Sequence, residues 1–376
     1  MNTGPVQPIP TDDESRSPEP TPALCLSGGG YRAMVFHIGV LWRLYETGLL
    51  KSIKRISSVS GGSITAGQLA LAWRSLKFDS VAGDFVPKLV EPLRAFAGVT
   101  IDAESVILGA LLPGSVGDRI AKAYDEHLFH GKTLQDMPDE PRFVINATNV
   151  QSGALWRFMK PYMRDYRVGE VRNPRIPLAY AVAASSAFPP VLSPYELRLK
   201  DSDFEPGTGM DLQRPPFTTR VVLTDGGVYD NLGLETAWKR HQTVLVSDAG
   251  GKTQAEEEPE TDWPRHSYRV LNLIDNQVRS LRKRQVIDSF VAKTRKGAYW
   301  GIRTDIADYG LADALKCPLE RTTQLAELPT RLKRIDANTQ ERLINWGYAV
   351  CDAALRKHLE PGLKPEPAFP YPQTGV

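Results

Sequence analysis

The chain has 376 residues, of which 41% are hydrophobic, and its 46 basic and 44 acidic residues leave a net charge of +2. The length allows one large α/β domain or two joined ones, and the composition allows a sizeable core. So balanced a charge argues against a nucleic-acid-binding protein, because such proteins usually carry a basic excess. The three cysteines are far apart, which predicts neither a disulfide framework nor a zinc site and suits a reducing compartment.

Both ends of the chain are rich in proline, with six prolines in residues 1–22 and five in residues 361–376. Such segments bury too little apolar surface to offset chain entropy, so both are predicted to be disordered tails. The folded domain is then residues 23–360. No secretory signal pattern and no run of 18 apolar residues is found, so we expect a cytoplasmic protein that meets lipid from the side, as a peripheral membrane enzyme.

Short apolar runs alternate with helical patterns inside this domain. Strands are predicted at residues 23–26, 55–59, 143–149, 221–224, 244–247 and 269–273, with helices at 31–46 and 62–76. Two successive strand–helix pairs indicate a parallel sheet with helices packed on it. Residues 77–140 are predicted to be a helical insertion. Its apolar run 106–113 is either a core helix or a candidate lid.

A glycine-rich loop, LCLSGGGYRA at residues 24–33, joins the first strand to the first helix. Glycines let an anion approach the backbone amides closely, and a helix start adds its positive dipole. Such a loop binds a phosphate or the oxyanion of an acyl-transfer intermediate. Ala33 stands where a GxGxxG loop has its last glycine. Because some dinucleotide sites accept alanine there, a nucleotide-binding module stays an alternative.

The turn after the second strand has the features of a nucleophile elbow. Residues 56–67, ISSVSGGSITAG, match GxSxG around Ser60, with Ser58 in place of the first glycine. The sharp turn needs small neighbours, and Ser58, Gly61 and Gly62 are small enough. Ser63 falls inside the first helical turn and is not expected to be the nucleophile. An ordinary glycine-rich turn is the alternative interpretation.

An acidic residue followed by glycines ends the strand in VVLTDGGVYDNLG, residues 221–233. Asp225 thus lies at a strand end, where active sites of open α/β sheets are found. Asp248, in VSDAGG, has a similar setting, and a plain Asp-Gly turn is the alternative for both. Spacing alone does not choose between the two aspartates.

None of the six histidines lies in the glycine-rich context of these motifs. His37 falls in an apolar helix and is predicted to be a core residue. His241 and His266 follow Asp225, so a Ser-Asp-His triad stays open. A histidine is not required, because a carboxylate beside a serine hydroxyl can take its proton directly.

In this order, the three motifs resemble those of patatin-like phospholipases: a GGGxR oxyanion loop, a GxSxG elbow and a DGG or DGA aspartate. Here these are Gly28-Gly29-Gly30-Tyr31-Arg32, Ser58-Val59-Ser60-Gly61-Gly62 and Asp225-Gly226-Gly227. Residues 143–153 and 181–194 are similar to two further blocks of the family, so the resemblance covers about residues 23–275. The chain departs from common family residues at Ser27, Ala33 and Ser58. These changes are small for small or lie outside the reacting atoms, and activity is expected to survive them.

The resemblance implies a three-layer α/β/α fold with a mostly parallel central sheet. It also implies a calcium-independent lipid acyl hydrolase of the phospholipase A or lysophospholipase type, in which Ser60 is the nucleophile and Asp225 its base. It favours Asp225 over Asp248, because only Asp225 has the Gly-Gly pair and the nearby Asn231 of the family's turn. No metal and no cofactor are expected.

The remaining expectations concern the surroundings of this dyad. The amides of Gly28, Gly29, Gly30 and Gly61 are the candidates for the oxyanion hole. Arg32 either anchors that loop or meets a phosphate head group. The expected partners are a phospholipid or another acyl-ester lipid and a membrane surface, and no nucleic acid; the oligomeric state stays open.

One basic segment has no place in these motifs. Residues 279–296 hold seven basic residues against the single acid Asp288. An anionic membrane surface and a solvated basic helix are the two interpretations. The apolar residues of this segment fall on two sides, which argues against a long straight amphipathic helix.

Overall fold

The computed structural model describes residues 17–101, 115–190 and 192–376. Within these ranges, the strands form one ten-stranded sheet. The strands are β1 (Glu19–Leu26), β2 (Arg55–Val59), β3 (Arg142–Asn149), β4 (Leu155–Phe158), β5 (Tyr162–Asp165), β6 (Gly169–Arg172), β7 (Tyr195–Arg198), β8 (Arg220–Asp225), β9 (His241–Asp248) and β10 (Lys296–Gly301).

The helices of the described ranges surround this sheet. They are α1 (Gly30–Glu46), α2 (Leu49–Ser52), α3 (Gly61–Ala72), α4 (Glu91–Ala97), α5 (Val116–Tyr124), α6 (Leu178–Ser185), α7 (Gly227–Asp230), α8 (Glu235–Trp238), α9 (Trp263–Val291), α10 (Leu319–Ala326) and α11 (Ala337–His358). Two π-helical segments, Val81–Val90 and Asp125–Phe129, adjoin α4 and α5. None of these helices is both long and apolar enough to cross a membrane.

The centre of the sheet is parallel. Strands β10, β9, β1, β2 and β3 lie in this order and all run in one direction. Strands β4, β5 and β6 continue beyond β3 as an antiparallel meander, and β8 pairs antiparallel with β3 and β7. The predicted mostly parallel central sheet is therefore confirmed for the part that carries the glycine-rich turns.

Side chains of the central strands alternate between two cores, because successive residues of a strand point to opposite faces. In β1, Leu24 and Leu26 belong to the larger core, whereas Ala23 and Cys25 belong to the smaller one. Helices α1, α3 and α11 cover the larger core, and α8 and the end of α9 cover the smaller one. The three-layer α/β/α arrangement predicted from the sequence is thus confirmed.

One predicted strand is wrong. Residues 269–273 lie inside α9, which runs without a break for 29 residues. A five-residue run with only three apolar residues does not distinguish a strand from a helix, and the start signals of this helix lie upstream. Asp262 caps it by accepting a hydrogen bond from the amide of Arg265 (3.1 Å), and Pro264 occupies its first turn. The pattern of the basic segment argued against a long straight amphipathic helix, but residues 279–291 of that segment belong to the 29-residue α9.

The ends of the domain also differ from the prediction. Strand β1 begins at Glu19, inside the segment predicted to be a tail. The segment 361–376 packs against α1 and α11: the amide group of Asn345 donates to the carbonyl oxygens of Tyr371 and Gly375, and Val376 is 2% exposed. This segment is therefore part of the folded domain. The candidate lid at residues 106–113 lies outside the described residues.

Candidate active site

Ser60 occupies a strained turn between β2 and α3. Its backbone has φ 51° and ψ −121°, a left-handed conformation that non-glycine residues rarely adopt. A Cβ atom on Gly61 would lie 2.1 Å from the carbonyl oxygen of Gly30, and one on Gly62 would lie 2.4 Å from that of Leu26. The turn therefore has the geometry of a nucleophile elbow, and the glycines after the serine are required by close backbone contacts.

Three other serines hold this turn in place. The amide of Ser60 donates to the hydroxyl of Ser185 (3.0 Å), and Ser63 Oγ bonds both Ser185 Oγ (2.9 Å) and Ser58 Oγ (3.0 Å). Ser63 is fully buried, whereas Ser60 is 8% exposed and lines a cavity. Ser58, which departs from the family's glycine, thus takes part in the hydrogen bonds that fix the elbow.

Strand register brings Asp225 to the elbow. On β3, Asn146 pairs with Val59, the last residue of β2, and Ala147 pairs with Asp225, the last residue of β8. Ala147 also pairs with β4, so β8 must lie on the opposite edge of β3, which is the edge that β2 occupies. Strands β2 and β8 therefore meet end to end along one edge of β3, with Ser60 and Asp225 at the junction.

The carboxylate of Asp225 is buried and incompletely hydrogen-bonded. Oδ1 accepts from the amide of Gly227 (2.7 Å), and Oδ2 has no partner of normal geometry among the described residues. Burial raises the pKa of Asp225 to about 7, against the opposing effects of the Gly227 amide and the nearby Ser60 hydroxyl. The Ser60 hydroxyl is close enough to stabilise the carboxylate. Hydrogen bonds between catalytic groups are often long in the absence of substrate and shorten when it binds.

Asp248, the other aspartate considered, is engaged elsewhere. It ends β9, two strands away from β2. Its Oδ2 accepts from the Tyr299 hydroxyl (2.7 Å) and its Oδ1 from the amide of Gly250 (2.9 Å). Geometry therefore favours Asp225 over Asp248 as the neighbour of Ser60.

The histidines considered for a triad lie away from Ser60. His241 begins β9 and contacts Thr21 and Arg55, at the opposite end of the sheet from the elbow. His266 is exposed on α9 and does not line the cavity at Ser60. His37 is buried, as predicted, and its ring nitrogens contact Ser247 Oγ and Ser27 O. Burial lowers the pKa of His37 to about 4, so this ring is neutral.

Three of the four predicted oxyanion donors are available, two in the glycine-rich loop and one in the elbow. The amide of Gly28 already donates to the carbonyl oxygen of Asn231 (3.1 Å), so it is not available. The amides of Gly29, Gly30 and Gly61 have no acceptor among the described residues. The lack of a side chain at Gly28 instead lets the loop approach Ser60, because a Cβ atom at position 28 would lie 3.1 Å from Ser60 Cβ.

Arg32 anchors this loop. Its side chain is 2% exposed and donates to the carbonyl oxygens of Ala249 and Leu328 and to Thr330 Oγ1. The guanidinium is thus held by two other loops of the protein, at Ala249 and at Leu328–Thr330. Of the two roles expected from the sequence, the geometry favours the anchoring one.

A cavity of about 570 Å³ opens at Ser60 and Asp225. One wall is apolar and is formed mainly by Phe188, Pro189, Pro190, Leu192 and Leu332. The opposite wall is polar and comes from the loop after β9 and from one face of α9, with Lys252, Thr253, Tyr268, Arg269, Asn272, Asp275, Asn276 and Arg279. The sequence motifs missed this second wall. The one sequence feature that touched this wall was the basic segment beginning at Arg279, and both interpretations of that segment placed it on the protein surface.

Comparison with protein families identifies the class to which this fold and site belong. A model of the patatin-like phospholipase family matches residues 24–238, more than half of the chain. The chain therefore belongs to this family. The matched region includes the glycine-rich loop, Ser60 and Asp225, whereas α9 and most of the polar wall lie beyond it.

Solved structures give more distant likenesses. Human GIVD cytosolic phospholipase A2 in complex with methyl gamma-linolenyl fluorophosphonate is 15% identical over 89% of this chain and 57% of its own, with a TM-score of 0.49. Another structure of the human enzyme is 14% identical over 65% and 51% of the two chains, with a TM-score of 0.42. VipD from Legionella pneumophila is 15% identical over 91% and 68%, with a TM-score of 0.37. The chain thus spans about half the length of the human structures, and no curated protein sequence matches it significantly.

Proposed function

We propose that this protein is a lipid acyl hydrolase that cleaves carboxylic esters with a Ser60–Asp225 dyad. The observation that carries the proposal is the strained Ser60 elbow beside the buried carboxylate of Asp225, at a half-apolar cavity. One oxygen of that carboxylate has no normal hydrogen bond from the residues that the structure describes. Membership of the patatin-like phospholipase family supports a lipid substrate. Phospholipids and lysophospholipids are the proposed substrate class.

In the proposed reaction, Ser60 Oγ attacks the ester carbonyl carbon while Asp225 takes the hydroxyl proton. The carbonyl oxygen becomes an oxyanion, which the amides of Gly29, Gly30 and Gly61 stabilise by hydrogen bonds. Collapse of the intermediate breaks the ester bond, and Asp225 returns its proton to the leaving alcohol. Water then repeats these steps on the acyl-enzyme and releases the fatty acid.

The raised pKa of Asp225 suits this role. A carboxylate with an ordinary pKa near 4 is a weak base, whereas one near 7 accepts a proton more readily and is still largely ionised at slightly alkaline pH. Burial therefore supplies the basicity that a histidine supplies in a triad. The distance of His241 from the elbow also favours the dyad.

Peripheral contact with a membrane is a second part of the proposal, and α9 supplies its support. Its residues Trp263, Val270, Ile274 and Leu281 are 81%, 39%, 55% and 58% exposed. At 3.6 residues per turn, these four side chains fall within an arc of about 40°. The face of α9 that lines the cavity lies on the other side of the helix. The stripe therefore offers apolar surface to a bilayer beside the catalytic cavity.

The test of the proposed function is Ser60→Ala. Loss of the nucleophile should lower hydrolysis of a p-nitrophenyl acyl ester and of phospholipid by about 10³-fold or more while the melting temperature stays near that of the wild type. A fluorophosphonate probe should label the wild type and not the variant, which separates an activated serine from a binding module. Near-normal rates in Ser60→Ala, together with an inactive Ser63→Ala, would show that the nucleophile is misplaced.

A further inference from the structure

A second cavity, of about 330 Å³, lies next to the catalytic one. Lys252, Asn276 and Arg279 line both cavities, so the two spaces are neighbours separated by these side chains. The other walls come from the end of β9, from α9 and from β10 with the loop after it. They include Asp248, Ser280, Lys283, Tyr299, Arg303 and Thr304.

Arg279, at the boundary between the cavities, is a buried cation whose charge acts on Asp275 but which forms no direct ion pair with a described residue. Its side chain is 9% exposed, and its guanidinium donates to Asn276 Oδ1 (3.2 Å), a neutral group on the same helix. Among the described residues, it forms no ion pair within 4 Å. A buried charge is costly unless it is paired, so an unpaired guanidinium lining a cavity indicates a place for an anionic ligand.

Three more cations line the same cavity. The Nζ atom of Lys283 lies 4.7 Å from the centre of the Tyr299 ring. The guanidinium of Arg303 donates to the carbonyl oxygen of Ala326 (3.1 Å), and its Nε atom is buried with no hydrogen-bond partner among the described residues. The side chain of Lys252 is exposed at the boundary. In the described part of the chain, none of the three forms an ion pair, so four positive charges line the cavity without a directly bound carboxylate.

The cavity also contains the carboxylate of Asp248, whose single negative charge offsets only part of the four positive charges. Both oxygens of Asp248 are occupied by the Tyr299 hydroxyl and the amide of Gly250. The positive charges also act on the neighbouring Arg32. Burial, followed by the charges of Arg303 and Arg279, lowers the pKa of its guanidinium to about 10. The cavity is therefore an electropositive space beside the catalytic serine.

We propose that this second cavity binds the phosphate group of a phospholipid whose acyl ester lies at Ser60. The chemistry required is that of a phosphate mono- or diester, and guanidinium and ammonium groups are its usual partners. Because the cavity adjoins the catalytic one, the phosphate and the ester of one molecule can occupy the two spaces together. The inference rests on the proposed function and makes it specific: the enzyme prefers phospholipids to neutral glycerides.

The experiment compares two lipids with the same palmitoyl ester, lysophosphatidylglycerol and monoacylglycerol, in the same neutral detergent micelles. The variants are Arg279→Gln and, separately, Lys252→Gln with Lys283→Gln, whose exposed side chains are not needed for folding. The matched control is Arg284→Gln, which removes the same charge from α9 outside both cavities. Each variant should lower the ratio of kcat/KM for the phospholipid to that for the glyceride about tenfold or more. The control should leave this ratio unchanged, and inorganic phosphate should inhibit phospholipid hydrolysis competitively.

The outcomes separate this inference from the proposed function. An unchanged ratio in both variants overturns the inference while hydrolysis itself stands. If inorganic phosphate raises the melting temperature of the wild type alone and the ratio still does not change, the cavity serves a free phosphate compound and the head-group assignment is wrong. If neither lipid is hydrolysed, the proposed function fails. In that case, stabilisation of the wild type and not of the variants by lysophosphatidylglycerol would support the phosphate site on its own, and its absence would overturn it.

Discussion

At the scale of single residues, Asp225 combines two opposing properties. Its burial makes it a stronger base, yet the same burial makes its ionised form costly in the folded protein. The hydrogen bond from Gly227 offsets part of this cost, and Oδ2 has no partner of normal geometry among the described residues. Both properties can be measured separately.

The first prediction is a pH profile with one essential base. Only the ionised carboxylate can take the proton of Ser60, so kcat/KM for a soluble ester should rise tenfold per pH unit below pH 7 and level off above it. The measurement is kcat/KM between pH 5 and pH 9, with a melting curve at each pH as the control for folding. A rate that stays constant down to pH 5 would contradict the assignment of Asp225 as the base.

The second prediction compares two substitutions of similar shape. Asp225→Asn should abolish hydrolysis, because an amide cannot accept the serine proton, and the loss should be about 10³-fold or more. Asp248→Asn should cost much less activity, since Asp248 bonds Tyr299 and Gly250 and not the elbow. Steady-state kinetics on one soluble ester give the ranking. The reverse ranking would mean that the wrong aspartate has been chosen.

The third prediction is that Asp225→Asn stabilises the inactive protein. The pKa of this carboxyl is about 7 in the folded state and near 4 when unfolded, so stability falls as pH rises from 4 to 7 and the cost is complete above pH 7. The asparagine variant lacks this cost. Its free energy of unfolding should exceed that of the wild type by at most about 4 kcal/mol at pH 8, with little difference at pH 4. Urea denaturation at both pH values checks this, and an equal difference at both would rule out the buried charge as its cause.

At the scale of elements, α9 has two faces with different surroundings. One face lines the two cavities, and the opposite face carries the exposed apolar stripe. Ion pairs hold the helix to the rest of the domain, with Arg269 contacting Glu256 and Arg282 contacting Glu235. Substitutions on the apolar stripe can therefore be tested without changing the residues that line the cavities, and the reverse.

The fourth prediction concerns the apolar stripe. Trp263→Ser with Leu281→Ser should weaken sedimentation with anionic vesicles about tenfold or more, because large apolar side chains each contribute roughly 1.5–3 kcal/mol on burial. Hydrolysis of a soluble short-chain ester should be unchanged. Val291→Ser is the control, since Val291 is 77% exposed on α9 and lies about 80° away from the stripe. Unchanged vesicle binding would contradict the assignment of the stripe and leave residues 106–113 as the next candidate for the membrane contact. A change in oligomeric state would show that a second copy of the chain covers the stripe.

At the scale of the whole molecule, the segment 361–376 packs against helices that lie far from it in the sequence. Besides its bonds from Asn345, Tyr371 packs against Trp42 and lies under the guanidinium of Arg94 at 4.7 Å, while Glu366 pairs with Arg43. These contacts join the end of the chain to the helices that support the glycine-rich loop. A proline-rich segment with few apolar residues is thus ordered because residues far away in the sequence pack against it and bond it.

The fifth prediction follows from these contacts. Deletion of residues 366–376 leaves the buried amide of Asn345 without its partners and removes the buried side chain of Val376, while Arg43 loses Glu366 but keeps Asp352. The free energy of unfolding should therefore fall by about 3–5 kcal/mol. Urea denaturation measures the loss. Gln373→Ala, an exposed change in the same segment, should stay within about 0.5 kcal/mol of the wild type. Equal stability of the deletion and the full chain would show that the segment is not part of the domain.

The sequence by itself determined what depends on a few neighbouring residues. The order of strand, glycines and helix predicted β1, β2 and their turns, because backbone conformations at positive φ and close approaches restrict which residues fit. It also predicted a parallel sheet with helices packed on it, since alternating strands and helices can bury their apolar faces in few ways. The resemblance of the motifs to the patatin-like family implied the three layers. The candidate nucleophile and both candidate aspartates were visible for the same local reason.

Only the tertiary structure decided what depends on partners distant in the chain. The end-to-end meeting of β2 and β8 on β3 brings Asp225 to Ser60 and leaves Asp248 with Tyr299. The contacts of Arg32, the occupied amide of Gly28 and the packed segment 361–376 likewise depend on remote partners. Strand register and long-range contacts are set by the packing of the whole chain, and no short stretch of sequence encodes them.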